Sequence, residues 1–381
     1  MTDADQPLWT PSPEYIETAA LTVFRKKAAQ RAGRSLDDYA ALWQWSVDAP
    51  ADFWRLLWTF GGVIGEPGET VLMNGDRMPG ARWFPQARLN YAENLLRQRD
   101  ETDALAFWGE DQVQRRMSRA ALYAEVSRLV QALKTAGVQP GDRVAGYLPN
   151  LPEALAAMLA TTAIGAIWSS ASPDFGVQGV LDRFGQIEPK VLIAADGYWY
   201  NGKAIDCLPR IREIAQRLSS VSTTVIVPYL DPMPDISTIR QGIGYADFLA
   251  PHPAGAIPFQ RVPFDHPLFI LYSSGTTGVP KCMVHGHGGT LLQHLKEHQL
   301  HSNLKSGDRF FYFTTCGWMM WNWLMSGLAS GATLLLYDGN PFVKNGHILF
   351  DFADAEGMTH FGTSAKFIDA LAKAGVKPRV N

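Results

Sequence analysis

Between Leu271 and Gly289 the chain reads LYSSGTTGVPKCMVHGHGG, dense in glycine and hydroxyl residues and followed by a segment of helical pattern. Such a composition marks a loop, and most loops are surface punctuation. The order of the residues points further. Residues 267–272, PLFILY, are an apolar run with aromatic and β-branched members that stops at Ser273, so the loop starts at the end of a predicted buried strand. Gly275 and Gly278 carry no Cβ, which lets the backbone turn through positive φ and aim several N–H groups at one anion. Ser273, Ser274, Thr276 and Thr277 add hydroxyl donors. Lys281, held behind the stiff Pro280, adds a positive charge suited to the terminal phosphates of a nucleotide.

The spacing is not that of the G-x-x-x-x-G-K-[ST] phosphate loop, because Lys281 lies three residues after Gly278 and precedes Cys282. A second candidate is Trp318, Met319, Met320 and Trp321, which follow a predicted strand at 309–315. Aromatic and methionine side chains can wall an apolar ligand pocket, and they can equally be core. His285, His287, His294, His298 and His301 raise a metal reading. His294 and His298 share a helical face, yet no Glu follows the first histidine as in zinc hydrolases, so they read as packed or exposed histidines and no metal site is assigned.

These residues need elements to hold them. Ser118 can cap a helix whose Leu122, Val126, Leu129, Val130 and Leu133 recur at helical spacing, and Gly137 can end it. Strands are predicted at 142–148, 191–195, 223–228, 309–315 and 332–337. Helices are predicted at 153–165, 178–186, 208–218, 289–300, 321–329 and 365–374. Alternation of this kind implies crossover units and a largely parallel, helix-covered α/β sheet. The expected division is a helical, Trp-rich cap over 1–110, a first α/β subdomain over 111–256 and a second, partial one over 257–381. Pro-rich stretches at 228–234 and 251–258 mark the seam.

Composition excludes several classes. With 46% hydrophobic and 19% charged residues the chain is globular, and a net charge of −3 with pI near 6.3 gives no basic footprint for nucleic acid. No secretory signal opens the sequence, and the most apolar stretch, 154–168, is too short and too interrupted for a membrane span. Cys207, Cys282 and Cys316 are odd in number and widely spaced, which suits ordinary thiols in a reducing cytoplasm.

The string SSGTTGVPK, Ser273 to Lys281, resembles the signature of the acyl-adenylate-forming enzymes, the superfamily of acyl-CoA synthetases, luciferases and peptide-synthetase adenylation domains. Residues 82–90, RWFPQARLN, resemble the short-chain branch of acyl-CoA synthetases. Residues 310–323, with Gly339-Asn-Pro341 and Gly362-Thr-Ser-Ala-Lys366, look most like its acetoacetate-activating members. The resemblance covers essentially the whole chain. It implies an AMP-binding enzyme-like α/β fold and an acid:thiol ligase that uses ATP, Mg²⁺ and coenzyme A. It implies phosphate contacts from Ser273, Ser274, Gly275, Thr276, Thr277, Gly278 and Lys281, and an acyl pocket at Trp318, Met319, Met320 and Trp321. Lys203 matches a basic residue that approaches the 3′-phosphate of coenzyme A, although Tyr200 stands where acetyl-CoA synthetases carry Arg.

The resemblance also implies parts that the sequence does not show: the motif stacking adenine, the ribose-binding aspartate, the hinge, and a small C-terminal domain with the catalytic lysine. The chain is therefore expected to be the N-terminal portion of a ligase, with the missing part as its partner and no catalytic side chain of its own. Acetate or propionate as the acid, or a non-catalytic nucleotide-binding module, stay open as alternatives.

Overall fold

The computed structural model describes residue 7 and residues 9–273 and 278–378. Two sheets dominate. The larger has seven strands in the order Gly242–Gly244, Thr223–Val227, Val191–Ala195, Arg143–Tyr147, Ile167–Ala171, Pro267–Ser273, Lys281–Gly286. All neighbours are parallel except the last pair, an antiparallel hairpin. The smaller has five, in the order His360–Gly362, Arg309–Tyr312, Thr333–Asp338, Asp103–Gly109, Val113–Ser118, with only the final pair antiparallel.

The two-residue period of each strand sorts its side chains between layers. Val144, Ile193, Phe107, Leu334 and Leu336 face a shared core with helices Arg119–Thr135 and Pro152–Ala163. Ala145, Leu192 and Ala194 face helices Val177–Ile187 and Leu208–Arg217 instead. Phe311, Leu335 and Tyr337 face Ile348–Glu356 and Ala365–Lys373. The result is five layers, helix, sheet, helix, sheet, helix, with every residue of Pro152–Ala163 buried at the centre. A helix with no solvent face must be apolar or have its polar groups paired, and its one charge, Glu153 in the first turn, is held by Arg115 at 2.6 Å. Its two threonine hydroxyls return to the backbone, Thr161 to Ala157 O at 2.8 Å and Thr162 to Met158 O at 2.9 Å.

Three expectations change. The helical N-terminal segment ends at Phe60; short strands follow, and Asp103–Gly109 already belongs to the five-stranded sheet. The sheets do not divide in chain order, because Pro267–Gly286 completes the larger one while 103–118 completes the smaller. The glycine-rich loop leads into the strand Lys281–Gly286 before any helix begins. As an exposed edge strand it shows no apolar alternation, which is why the sequence hides it.

A buried carboxylate fastens the loops at one end of the smaller sheet. Glu110 is fully buried and accepts from the backbone N–H groups of Asn201 at 2.6 Å, Gly202 at 2.7 Å and Asn340 at 2.8 Å. Gly339, at φ +118°, lies so close that a Cβ would sit 2.2 Å from Glu110 Cγ. Replacing Glu110 with Ala strands three donors in the interior, so the Glu110→Ala protein should lose about 2–4 kcal/mol in urea unfolding. A loss under about 0.5 kcal/mol would show that this carboxylate does not fasten the hairpin turn at Asn201 and Gly202 to the end of the five-stranded sheet.

Candidate functional site

The strands Pro267–Ser273 and Lys281–Gly286 pair so that Ser273 stands opposite Lys281 at the open end. Ser274, Gly275, Thr276 and Thr277, four of the residues assigned to phosphate by sequence, lie outside the described residues. Their flanks are anchored. Gly278 takes φ +96°, a backbone state that favours glycine, and Pro280 O accepts from Gln186 Nε2 at 2.8 Å. Tyr272, one residue before the loop, meets Ser169 Oγ at 3.0 Å. Lys281 projects from an exposed strand position, and the hairpin fixes where its stem begins.

The same hairpin reaches a cavity at its other end. The ladder shifts between Pro267 and Phe269, and beyond that irregularity His285 and Gly286 form one cavity wall. Thr290, Gln293, His294 and Glu297 form a second wall from the helix His287–Leu295 and the π-helical turn Lys296–His301 that continues it. These four recur at i, i+3, i+4 and i+7, a single face, while Leu291, Leu292 and Leu295 are buried elsewhere in the core. Met319, Met320 and Trp323 form the third wall, and the cavity holds about 570 Å³.

The Trp/Met group is thus split by its helix. Met319–Met325 turns about 100° per residue, so a run of four contiguous residues cannot all face one cavity. Met319 and Met320 line the cavity, joined by Trp323, one turn on. Trp321 instead points into the interior, where its Nε1–H donates to Asn150 Oδ1 at 2.9 Å. Trp318 is exposed at the helix start and is not among the lining residues. Lys203 is exposed on a separate hairpin, Gly197–Tyr200 with Lys203–Asp206, whose turn is the one bound by Glu110.

The lining helix is backed by the N-terminal helices. Ala20 N–H donates to Asn303 Oδ1 at 2.9 Å, and Trp58, Phe84 and Phe264 stack in series at about 5 Å beneath it. Sequence reasoning missed the polar face 290–297, including His294, although its helical spacing was present to be read. His294 Nδ1 lies 2.7 Å from Ser326 Oγ, which in turn bonds the Tyr91 hydroxyl. Glu297 is neutralised by Lys296 at 2.9 Å and accepts from Gln293 at 3.2 Å. Among the described residues no group of three or more His, Cys, Asp or Glu could hold a metal ion.

Against this geometry, a model of the AMP-binding enzyme family matches residues 93–380 and a model of the acetyl-coenzyme A synthetase N-terminus matches 39–95. The chain belongs to the AMP-binding enzyme family. Within that family it resembles acetoacetyl-CoA synthetases: that of Rhizobium meliloti (strain 1021) is 56% identical over 98% of this chain and 58% of its own length. The solved acetoacetyl-CoA synthetase from Streptomyces lividans superposes with a TM-score of 0.91 at 43% identity, covering 98% of this chain and 57% of its own. A malonamoyl-CoA synthetase of Penicillium aethiopicum is 38% identical over 95% of this chain and 54% of its own length. The chain therefore spans somewhat over half the length of these relatives. Among the described residues no helix is long and apolar enough to cross a membrane.

The histidines around the cavity make the fold acid-sensitive. Burial pushes His287 and His294 down to about 3, helped by neighbouring His266 and His285 respectively, and holds His298 well below its ordinary value. Below about pH 6.5 the unfolded chain takes up protons that these folded histidines refuse, so stability falls as pH drops toward 3. Asp338, raised by burial to about 7, and Glu125, also raised by burial, work in the opposite direction, as two groups against four, since burial lowers His285 as well. The thermal midpoint should fall measurably between pH 7 and 5.5; a midpoint that rises would show that the histidines are not buried neutral.

Proposed function

We propose that the chain carries the ATP-phosphate and acyl subsites of an AMP-forming acid:thiol ligase acting on acetoacetate. The observation that carries this reading is the continuity of the hairpin: the strand leaving the phosphate-type loop at Lys281 forms the cavity wall at His285 and Gly286. A nucleotide at the loop and a small acid in the cavity would then meet without either subsite moving. The acids named for the relatives, acetoacetate and malonamate, both carry a carbonyl two carbons from the carboxylate.

In the first step a carboxylate oxygen of the acid attacks the α-phosphorus of ATP in line and pyrophosphate leaves, giving the acyl-adenylate. In the second the thiol of coenzyme A attacks the acyl carbon, AMP leaves with the bond electrons, and acetoacetyl-CoA forms. Phosphoryl chemistry of this kind asks the protein mainly for positioning and charge neutralisation. Ser273 and Lys281, facing each other across the hairpin, and the residues between them would hold the departing pyrophosphate. Met319, Met320 and Trp323 would exclude water from the acyl group. Mg²⁺ would arrive as the counter-ion of ATP, since the described residues offer no dedicated cluster for it. Lys203 is the candidate contact for the 3′-phosphate of coenzyme A.

Acetoacetate-dependent ATP–pyrophosphate exchange, run beside acetate, propionate and butyrate, tests the reading on the protein produced from its whole reading frame. Exchange should be selective for acetoacetate, and Lys281→Ala should lower kcat/KM for ATP about 10- to 100-fold through loss of a charged phosphate contact. Selective exchange with acetate or propionate would reassign the acid. Unchanged ATP kinetics in Lys281→Ala would remove that lysine from the site.

A further inference from the structure

Resting on that reading, we infer that His294 is the specificity-determining residue that recognises the C3 carbonyl of the acid, through a directed hydrogen-bond relay from Tyr91 and Ser326. His294 is 6% exposed, and the little surface it keeps belongs to the cavity. Its Nδ1 is taken by Ser326, and among the described residues Nε2 has no hydrogen-bond partner and is not one of the sealed, unpartnered atoms. An imidazole nitrogen on the polar face it shares with Thr290, Gln293 and Glu297, looking across at Met319, Met320 and Trp323, is costly to leave unmatched.

The relay sets which kind of partner Nε2 wants. Tyr91 is fully buried, burial keeps its phenol protonated, and among the described residues Ser326 Oγ is the one acceptor its hydroxyl reaches, so Tyr91 donates and Ser326 accepts. Ser326 then has one proton to give, with His294 Nδ1 at 2.7 Å and Asn322 O at 3.1 Å. The nearer and more basic acceptor is the imidazole nitrogen. His294 is neutral at physiological pH because of its burial, so with Nδ1 accepting, the ring proton is on Nε2. His294 thereby offers the cavity a fixed, uncharged N–H donor. A ketone or amide oxygen, an acceptor only, is the complementary group. An alkyl chain in the same place leaves the donor unpaired, and sites built around a hydrogen bond reject such analogues strongly.

The geometry also separates this role from anchoring the carboxylate. His294 stands on the helix after the hairpin, two turns beyond His287, whereas the loop that would hold the phosphates is at the far end of the strand Lys281–Gly286. A carboxylate at the phosphate end and a carbonyl at the helix end is the order of groups along a 3-oxo acid. The π-helical widening directly after Leu295, packing His298 against Trp323 at 4.5 Å, holds that end of the wall.

The test is the ratio of kcat/KM for acetoacetate to that for butyrate, measured by ATP–pyrophosphate exchange on the protein from its whole reading frame. Both acids are measured on one preparation, so partial unfolding cancels. The ratio should fall about tenfold or more in His294→Phe. Tyr91→Phe and Ser326→Ala, which leave the cavity wall in place and remove only the relay, should lower it by a smaller factor. An unchanged ratio in His294→Phe overturns the inference, as does equal loss with both acids, which would make His294 a packing residue. If His294→Phe does not fold, an unchanged ratio in both relay variants overturns it instead. Wild-type protein that exchanges with neither acetoacetate nor malonamate but accepts another acid overturns the substrate reading and is distinguished by needing no variant.

Discussion

The antiparallel pairing of Pro267–Ser273 with Lys281–Gly286 is the constraint on which the site depends. One end of this pairing closes the glycine-rich loop and sets Ser273 across from Lys281; the other delivers His285 and Gly286 to the cavity. A register slip of one residue would turn every side chain of the strand to the opposite face and part the loop from the cavity. The pairing is held at the edge of the larger sheet by the parallel strand Ile167–Ala171, where Ser169 Oγ bonds Ile270 O at 2.8 Å. The loop exit is held by Gln186. An edge strand with an exposed face thus acquires a fixed position from its neighbours rather than from its own burial.

Around this hairpin the two sheets must keep a fixed relation, because the third cavity wall belongs to the helix that follows the smaller sheet's strand Arg309–Tyr312. Asn150 secures it. Its amide accepts from Trp321 Nε1 at 2.9 Å, its N–H donates to Asp338 Oδ1 at 3.0 Å, and its Nδ2 reaches Tyr337 O at 3.3 Å. A single side chain after the strand Arg143–Tyr147 therefore binds both the helix bearing Met319 and Met320 and the end of the smaller sheet. Trp321 is placed by this contact, which makes it a support for the cavity rather than part of its lining. Buried polar groups in such a network stabilise and position only when each partner is satisfied.

Much of the fold was legible in the sequence because strands buried on both faces are continuous apolar runs. Val191–Ala195 has the predicted bounds, and Ser118 caps the helix Arg119–Thr135 by accepting from Ala121 N, as its position implied. The strand Pro267–Ser273 that leads into the glycine-rich loop was legible as an apolar run. What could not be read had physical reasons. Lys281–Gly286 is an exposed edge, so burial imposed no pattern on it. Residues 318–321 are contiguous in sequence and therefore spread around a helix in space, which left Met319 and Met320 in the cavity and sent Trp321 inward. His294 looked like half of a metal pair, since only the fold brings Ser326 and Tyr91, far away in sequence, against its ring.

The central claim is that the hairpin joins a phosphate subsite and an acyl subsite into one site. A crystal structure with a non-hydrolysable acetoacetyl-adenylate analogue, such as the acyl sulfamate, tests it most directly. The acyl chain should lie in the cavity between Met319, Met320 and His294, with its C3 oxygen within hydrogen-bond distance of Nε2 and its sulfamate beside the loop that begins at Ser273. An analogue bound with its acyl chain outside this cavity, or with its sulfamate remote from the hairpin, would contradict the account.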